Sequence, residues 1–124
     1  VLTLAMGLVS EEKAGLLARH LNQLILDNGG CLDTGFMSIK FLLDVLCRYG
    51  YTDTAKTLLL QEKCPSWLYE VKHDATTVWS KWNAIQPETG KVTCASYNHY
   101  SFGNGCITIF WESEIPAVVS GTLW

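Results

Sequence analysis

Between Cys64 and Trp82 the chain reads C-P-S-W-L-Y-E-V-K-H-D-A-T-T-V-W-S-K-W, which places three of its five tryptophans within nineteen residues. Trp67, Tyr69, Trp79 and Trp82 interleave there with Ser66, Glu70, His73, Asp74, Thr76, Thr77 and Ser80. Flat apolar faces alternating with hydrogen-bonding groups suit a sugar ring, which pairs a face of C–H bonds with a rim of hydroxyls. A second group, Tyr97, His99 and Tyr100, stands just before Gly103.

Other chemistries find less support. Cys31, Cys47, Cys64, Cys94 and Cys106 are odd in number, with no C-x-x-C pair, so neither a disulfide framework nor a zinc module is indicated. Buried thiols in a reducing, cytoplasmic compartment are the expectation. His20, His73 and His99 share no helix face, so no metal site and no cofactor is expected. A net charge of −3 argues against a phosphate-backbone partner, and nucleic acid is set aside. No apolar run approaches the ~20 residues of a membrane span, so no membrane partner is expected. The first residues lack the basic start and small-residue cleavage site of a signal peptide. The missing initiator Met suggests a piece of something longer.

The elements that must position these residues read as helices. Residues 1–9 resemble the end of one. Ser10 is a candidate N-cap for an amphipathic helix with Ala14, Leu17, Leu21, Leu24 and Ile25 on its inner stripe, ended by Asn28-Gly29-Gly30. A second helix is expected from Phe36 to Tyr49 with Ile39, Leu42, Leu43 and Leu46 inside, and Asp33 or Thr34 as caps. A third runs from Thr52 or Asp53 through Glu62, with Ala55, Leu58 and Leu59 inside. Short connections make the three antiparallel neighbours. Cys64-Pro65 should start an extended stretch, Thr76 or Thr77 should cap a short helix through Trp82, and P-E-T-G at 87–90 should turn. Residues 104–124 become β-branched and aromatic, which suits an irregular or strand-like tail.

Five ordered runs resemble the C-terminal part of the catalytic domain of bacterial α-L-rhamnosidases, glycoside hydrolase family 78. They are N-G-G-C-L-D-T-G-F at 28–36, L-L-L-Q at 58–61, P-S-W-L-Y at 65–69, A-T-T-V-W-S-K-W-N at 75–83 and N-H-Y-S-F-G at 98–103. The resemblance implies an all-α fold, part of an (α/α)6 six-hairpin barrel of which residues 1–103 supply the closing helices, with 104–124 outside the family pattern. It also implies inverting hydrolysis of a terminal α-L-rhamnose, with a rhamnose-containing glycoside and the remainder of the barrel as partners. Inversion uses one carboxylic acid to protonate the leaving oxygen and a carboxylate on the opposite face to activate water, about 6.5–9.5 Å apart. The family's acid lies upstream of anything in this chain, and its base is the Glu of G-A-T-T-x-W-E.

Here that motif reads D-A-T-T-V-W-S, so Asp74 replaces a glycine and Ser80 occupies the base position. A serine hydroxyl does not take a proton from water as a carboxylate does, and general-base catalysis contributes ~10²–10⁴-fold. Asp74, Glu70 and Glu88 are the candidate substitutes for the base; Asp74 would need a different backbone path. His99 matches a family histidine that contacts sugar hydroxyls, with a core histidine bonded to a carbonyl as the alternative. Trp79 and Trp67 are either stacking platforms or packing. The expectation is therefore an α-L-rhamnosidase-like fragment, inactive alone. The rivals are a non-catalytic carbohydrate-binding or interaction module and a decayed, truncated gene product.

Overall fold

A computed structural model of the chain describes residues 1–93 and 96–103. Six helices occupy them: α1 (Leu2–Ala5), α2 (Glu11–Asp27), α3 (Ile39–Arg48), α4 (Thr52–Leu59), α5 (Trp67–Lys72) and α6 (Tyr100–Gly103). The all-α expectation holds, and among the described residues the only β-type pairing is a single antiparallel bridge from Ile85 to Val92. The tail at 104–124 lies outside the described residues.

Helix α3 is the centre, in contact with α1, α2, α4 and α6. Ile39, Leu42, Leu43 and Leu46 are fully buried, as their spacing requires, and pack with Leu58 of α4, Trp67 of α5, Trp82 and Phe102. Val45 turns to the other side, against Leu4, Ala14 and Ala18. Burying a leucine or isoleucine side chain stabilises by about 1.5–3 kcal/mol, so this one ten-residue helix carries much of the core.

Four expectations need correction. The inner stripe of α2 is Ala14, Ala18 and Ile25, whereas Leu17 and Leu24 turn outward and Leu21 is half-buried. The cause is rotational: Thr54 of α4 donates to Asn22 Oδ1 at 2.5 Å, which pulls the Ala14–Ala18–Asn22 face inward. Helix α3 begins at Ile39 rather than Phe36, because Ser38 and Ile39 close a turn on the Gly35 carbonyl, and neither Asp33 nor Thr34 caps it. Helix α4 stops at Leu59 rather than Glu62; Gln61 Oε1 accepts the N–H groups of Glu62 and Lys63 instead.

The fourth lies in the aromatic stretch. The chain stays non-helical through Pro65 and an extended Ser66, as expected, and turns helical at Trp67 with the Ser66 hydroxyl accepting the Tyr69 N–H at 3.1 Å, but no helix forms from Thr76 to Trp82. The segment is held by other bonds instead: Trp79 N–H donates to the Glu70 carboxyl and Ser80 N–H to the Ser96 carbonyl. The turn expected at 87–90 is present, closed by Gly90 N–H on the Gln86 carbonyl at 2.8 Å. Ser10 sits ahead of α2 in the extended conformation of a cap, without a side-chain bond.

Candidate functional site

Segment 77–80, which carries Ser80, lies beside segment 96–99, which carries His99. Ser80 N–H donates to the Ser96 carbonyl at 2.9 Å, Ser96 N–H returns to Ser80 Oγ at 3.1 Å, and His99 N–H reaches the Val78 carbonyl at 2.7 Å. The Thr77 hydroxyl adds a bond to the Tyr97 carbonyl. Two irregular segments thus hold each other in place, which fixes Ser80 and His99 on neighbouring strands of chain.

Ser80 opens onto a cavity of about 430 Å³ whose wall includes Asp33, Thr34, Pro65, Lys81, Trp82 and Phe102. Trp82 Nε1–H is tied to the Thr34 carbonyl at 2.9 Å, and Trp67 Nε1–H to the Phe102 carbonyl at 3.0 Å. These two indole bonds tie the parts of the wall together. Trp67 and Trp79 are 6% and 4% exposed, with Trp67 edge-on to Trp82 and Trp79 edge-on to Tyr97, a geometry that favours packing over stacking on a ligand.

His99 is half-buried, and its ring lies 4.9 Å from that of Phe102 and 5.7 Å from that of Phe36. Phe36 is half exposed. Residue chemistry alone did not single it out; its signal was its place at the end of the 28–36 run, one residue past a glycine.

Of the carboxylates near Ser80 in sequence, Asp74 is exposed on the turn after α5, with φ +60°. Glu70 is 2% exposed and lines a separate cavity of about 430 Å³ with Leu59, Leu60, Val71 and Val78. The two cavities share no wall residue. Burial pushes the Glu70 carboxyl up to about 7, partly offset by the Trp79 N–H that Oε2 accepts at 3.0 Å. Its Oε1 has no partner among the described residues. Burial likewise raises the Cys64 thiol, with smaller contributions from Cys31 and Glu70. Cys31, Cys47 and Cys64 form no disulfide, and Cys94 and Cys106 lie outside the described residues.

Four of the five runs singled out in the sequence meet at the Ser80 cavity: 28–36 through Asp33 and Thr34, 65–69 through Pro65, 75–83 through Ser80 to Asn83, and 98–103 through Phe102. The fifth, 58–61, braces the first, since Gln61 Nε2 donates to the Gly29 carbonyl at 3.1 Å. Residues 1–111 match the family model of the bacterial α-L-rhamnosidase six-hairpin glycosidase domain. The chain belongs to this α-L-rhamnosidase family.

An α-L-rhamnosidase of Streptomyces avermitilis is 42% identical over 106 residues, covering 84% of this chain and 10% of the relative. One of an Alteromonas species is 35% identical over 105 residues, covering 83% of this chain and 11% of the relative. The crystal structure of the S. avermitilis α-L-rhamnosidase complexed with L-rhamnose superposes with a TM-score of 0.79 at 40% identity, over 83% of this chain and 10% of that one. This rhamnosidase-family chain thus spans about a tenth of the length of its curated relatives. Its helices form part of an all-α six-hairpin glycosidase domain.

Proposed function

We propose that this chain forms part of the sugar-binding wall of an α-L-rhamnosidase-like glycosidase whose reaction is inverting hydrolysis of a terminal α-L-rhamnose. The observation that carries the reading is the meeting of four family runs around one cavity, with His99 beside it. In this reading the His99 imidazole, able both to donate and to accept, contacts sugar hydroxyls. Trp67 and Trp79 act from beneath, as supports for the wall rather than as stacking faces.

The chain by itself binds and does not cleave. Ser80 stands where the base would act, Glu70 faces a different cavity, and the general acid belongs to a segment that the remainder of the barrel would supply. Introducing Ser80→Glu in a full-length barrel should raise hydrolysis of an aryl α-L-rhamnoside by ~10²–10⁴-fold, the usual worth of a general base. An unchanged rate would remove Ser80 from the base position. Ser80 also favours a second reading, a carbohydrate-binding module that kept the wall and lost the chemistry. Saturable rhamnose binding by full-length protein with no turnover, unaltered by Ser80→Glu, would select it.

A further inference from the structure

Glu70 is the buried ionisable group that the sugar-facing reading leaves unused. A carboxyl this deep in an apolar wall is costly unless it is hydrogen-bonded. Helix α5, which bears it, is fixed at both ends. Ser66 caps the start, and at the finish Asp74 N–H bonds the Val71 carbonyl while Ala75 N–H bonds the Glu70 carbonyl. From that rigid base the side chain reaches nine residues downstream to the Trp79 N–H at 3.0 Å.

Segment 77–80 belongs to no helix or strand. On one side it is bonded to 96–99, itself irregular until α6 begins. On the other, the Glu70 carboxyl ties it to a helix. Because the Glu70 and Ser80 cavities share no wall residue, the link from Glu70 to the Ser80 side runs through the Trp79 backbone. We propose that Glu70 is a positioning residue: its bond to the Trp79 N–H sets where Ser80 stands in the cavity wall and, through the paired segment, where His99 stands beside it.

The inference rests on the sugar-binding reading for its purpose, though not for its geometry, so the test reads the two separately. Backbone amide exchange in the 124-residue chain should quicken at least tenfold at Trp79, Ser80 and His99 in Glu70→Leu, which keeps the bulk and loses the acceptor, while α3 amides stay unchanged. Glu70→Gln, which keeps a carbonyl acceptor, should stay within threefold of the parent. Rhamnose affinity should follow the same order. Equal exchange in all three proteins, or Leu behaving as Gln does, overturns the positioning role. If the parent binds no rhamnose but exchange splits as expected, the sugar reading fails and the positioning role stands.

Should Glu70→Leu not fold, the Trp79 amide proton shift decides. It should titrate with a midpoint near neutral in the parent and not in Glu70→Gln, and a flat profile in the parent overturns the proposal. Around the carboxyl, Cys64 is the titratable neighbour, raised by burial from an already alkaline value, while α4 and residues 75–78 present Leu59, Leu60, Ala75, Thr76, Thr77 and Val78, none of them charged.

Discussion

Burial lifts the Glu70 carboxyl to about 7 from an ordinary 4.5, and the Trp79 N–H draws it only part of the way back. Folding therefore favours the protonated form. The stabilisation is complete below the unfolded value near 4.5 and is lost as pH rises through 7. That gap corresponds to on the order of 3 kcal/mol between the two ends of the window. Glu70→Gln has no such proton to lose. Urea unfolding at pH 5 and pH 8 should show the parent losing on the order of 3 kcal/mol more than the variant across that span. Parallel losses in the two proteins would mean that Glu70 ionises in the fold as it does in water. The unpartnered Oε1 makes the direction firm, since a second donor would have favoured the charged form.

At the scale of elements, four helices end alike. After α1, α2, α3 and α5 the residue past the C-cap has positive φ, at Gly7, Gly29, Gly50 and Asp74, and in each case its N–H and the next N–H fold back on the last turn. Three of the four positions hold the residue that suits the left-handed region, and the fourth holds an aspartate. A side chain there is disfavoured by roughly 1–2 kcal/mol, less for Asp, which bonds locally. Asp74→Gly should then raise stability by about 0.5–1 kcal/mol, read as an upward shift in thermal midpoint, while Asp74→Ala should lower it. A lower midpoint for the glycine variant would show that the Asp74 side chain supports the turn.

These glycines also mark what the sequence could disclose. Helix stops at Asn28-Gly29-Gly30 and Gly50, and the α3 stripe from Ile39 to Leu46, follow from local spacing, which is how a backbone of i→i+4 bonds reveals itself. Segment 76–83 did not, because its path is dictated by bonds to Glu70 and Ser96, nine and sixteen residues away, which follow no repeating period. The rotation of α2 was hidden for the same reason: the Asn22–Thr54 bond crosses 32 residues. At the site, the family runs located the wall, while the burial of Trp67 and Trp79 and the exposure of Phe36 required the packed chain.

For the whole molecule, the question is what covers the outward side of α2. Leu16, Leu24 and Leu26 are each half exposed or more, and Met6 and Leu8 add to the apolar surface beside them. A helix with apolar residues on both its inner and outer faces is one that packs on two sides. The chain spans about a tenth of its relatives, and in the function proposed above the remainder of a six-hairpin domain would be the cover. Leu24→Glu separates the two surroundings. In the 124-residue chain it should change stability by no more than about 0.5 kcal/mol and improve solubility, because the side chain already faces water. Within a full-length barrel the same substitution would bury a carboxylate and should cost about 3 kcal/mol or more, seen as loss of soluble enzyme. Leu43→Ala, in the fully buried α3 stripe, should cost about 2–5 kcal/mol in both. If Leu24→Glu is harmless in the full-length protein as well, the outer face of α2 is solvent-facing there, and the barrel closes around this piece in some other way.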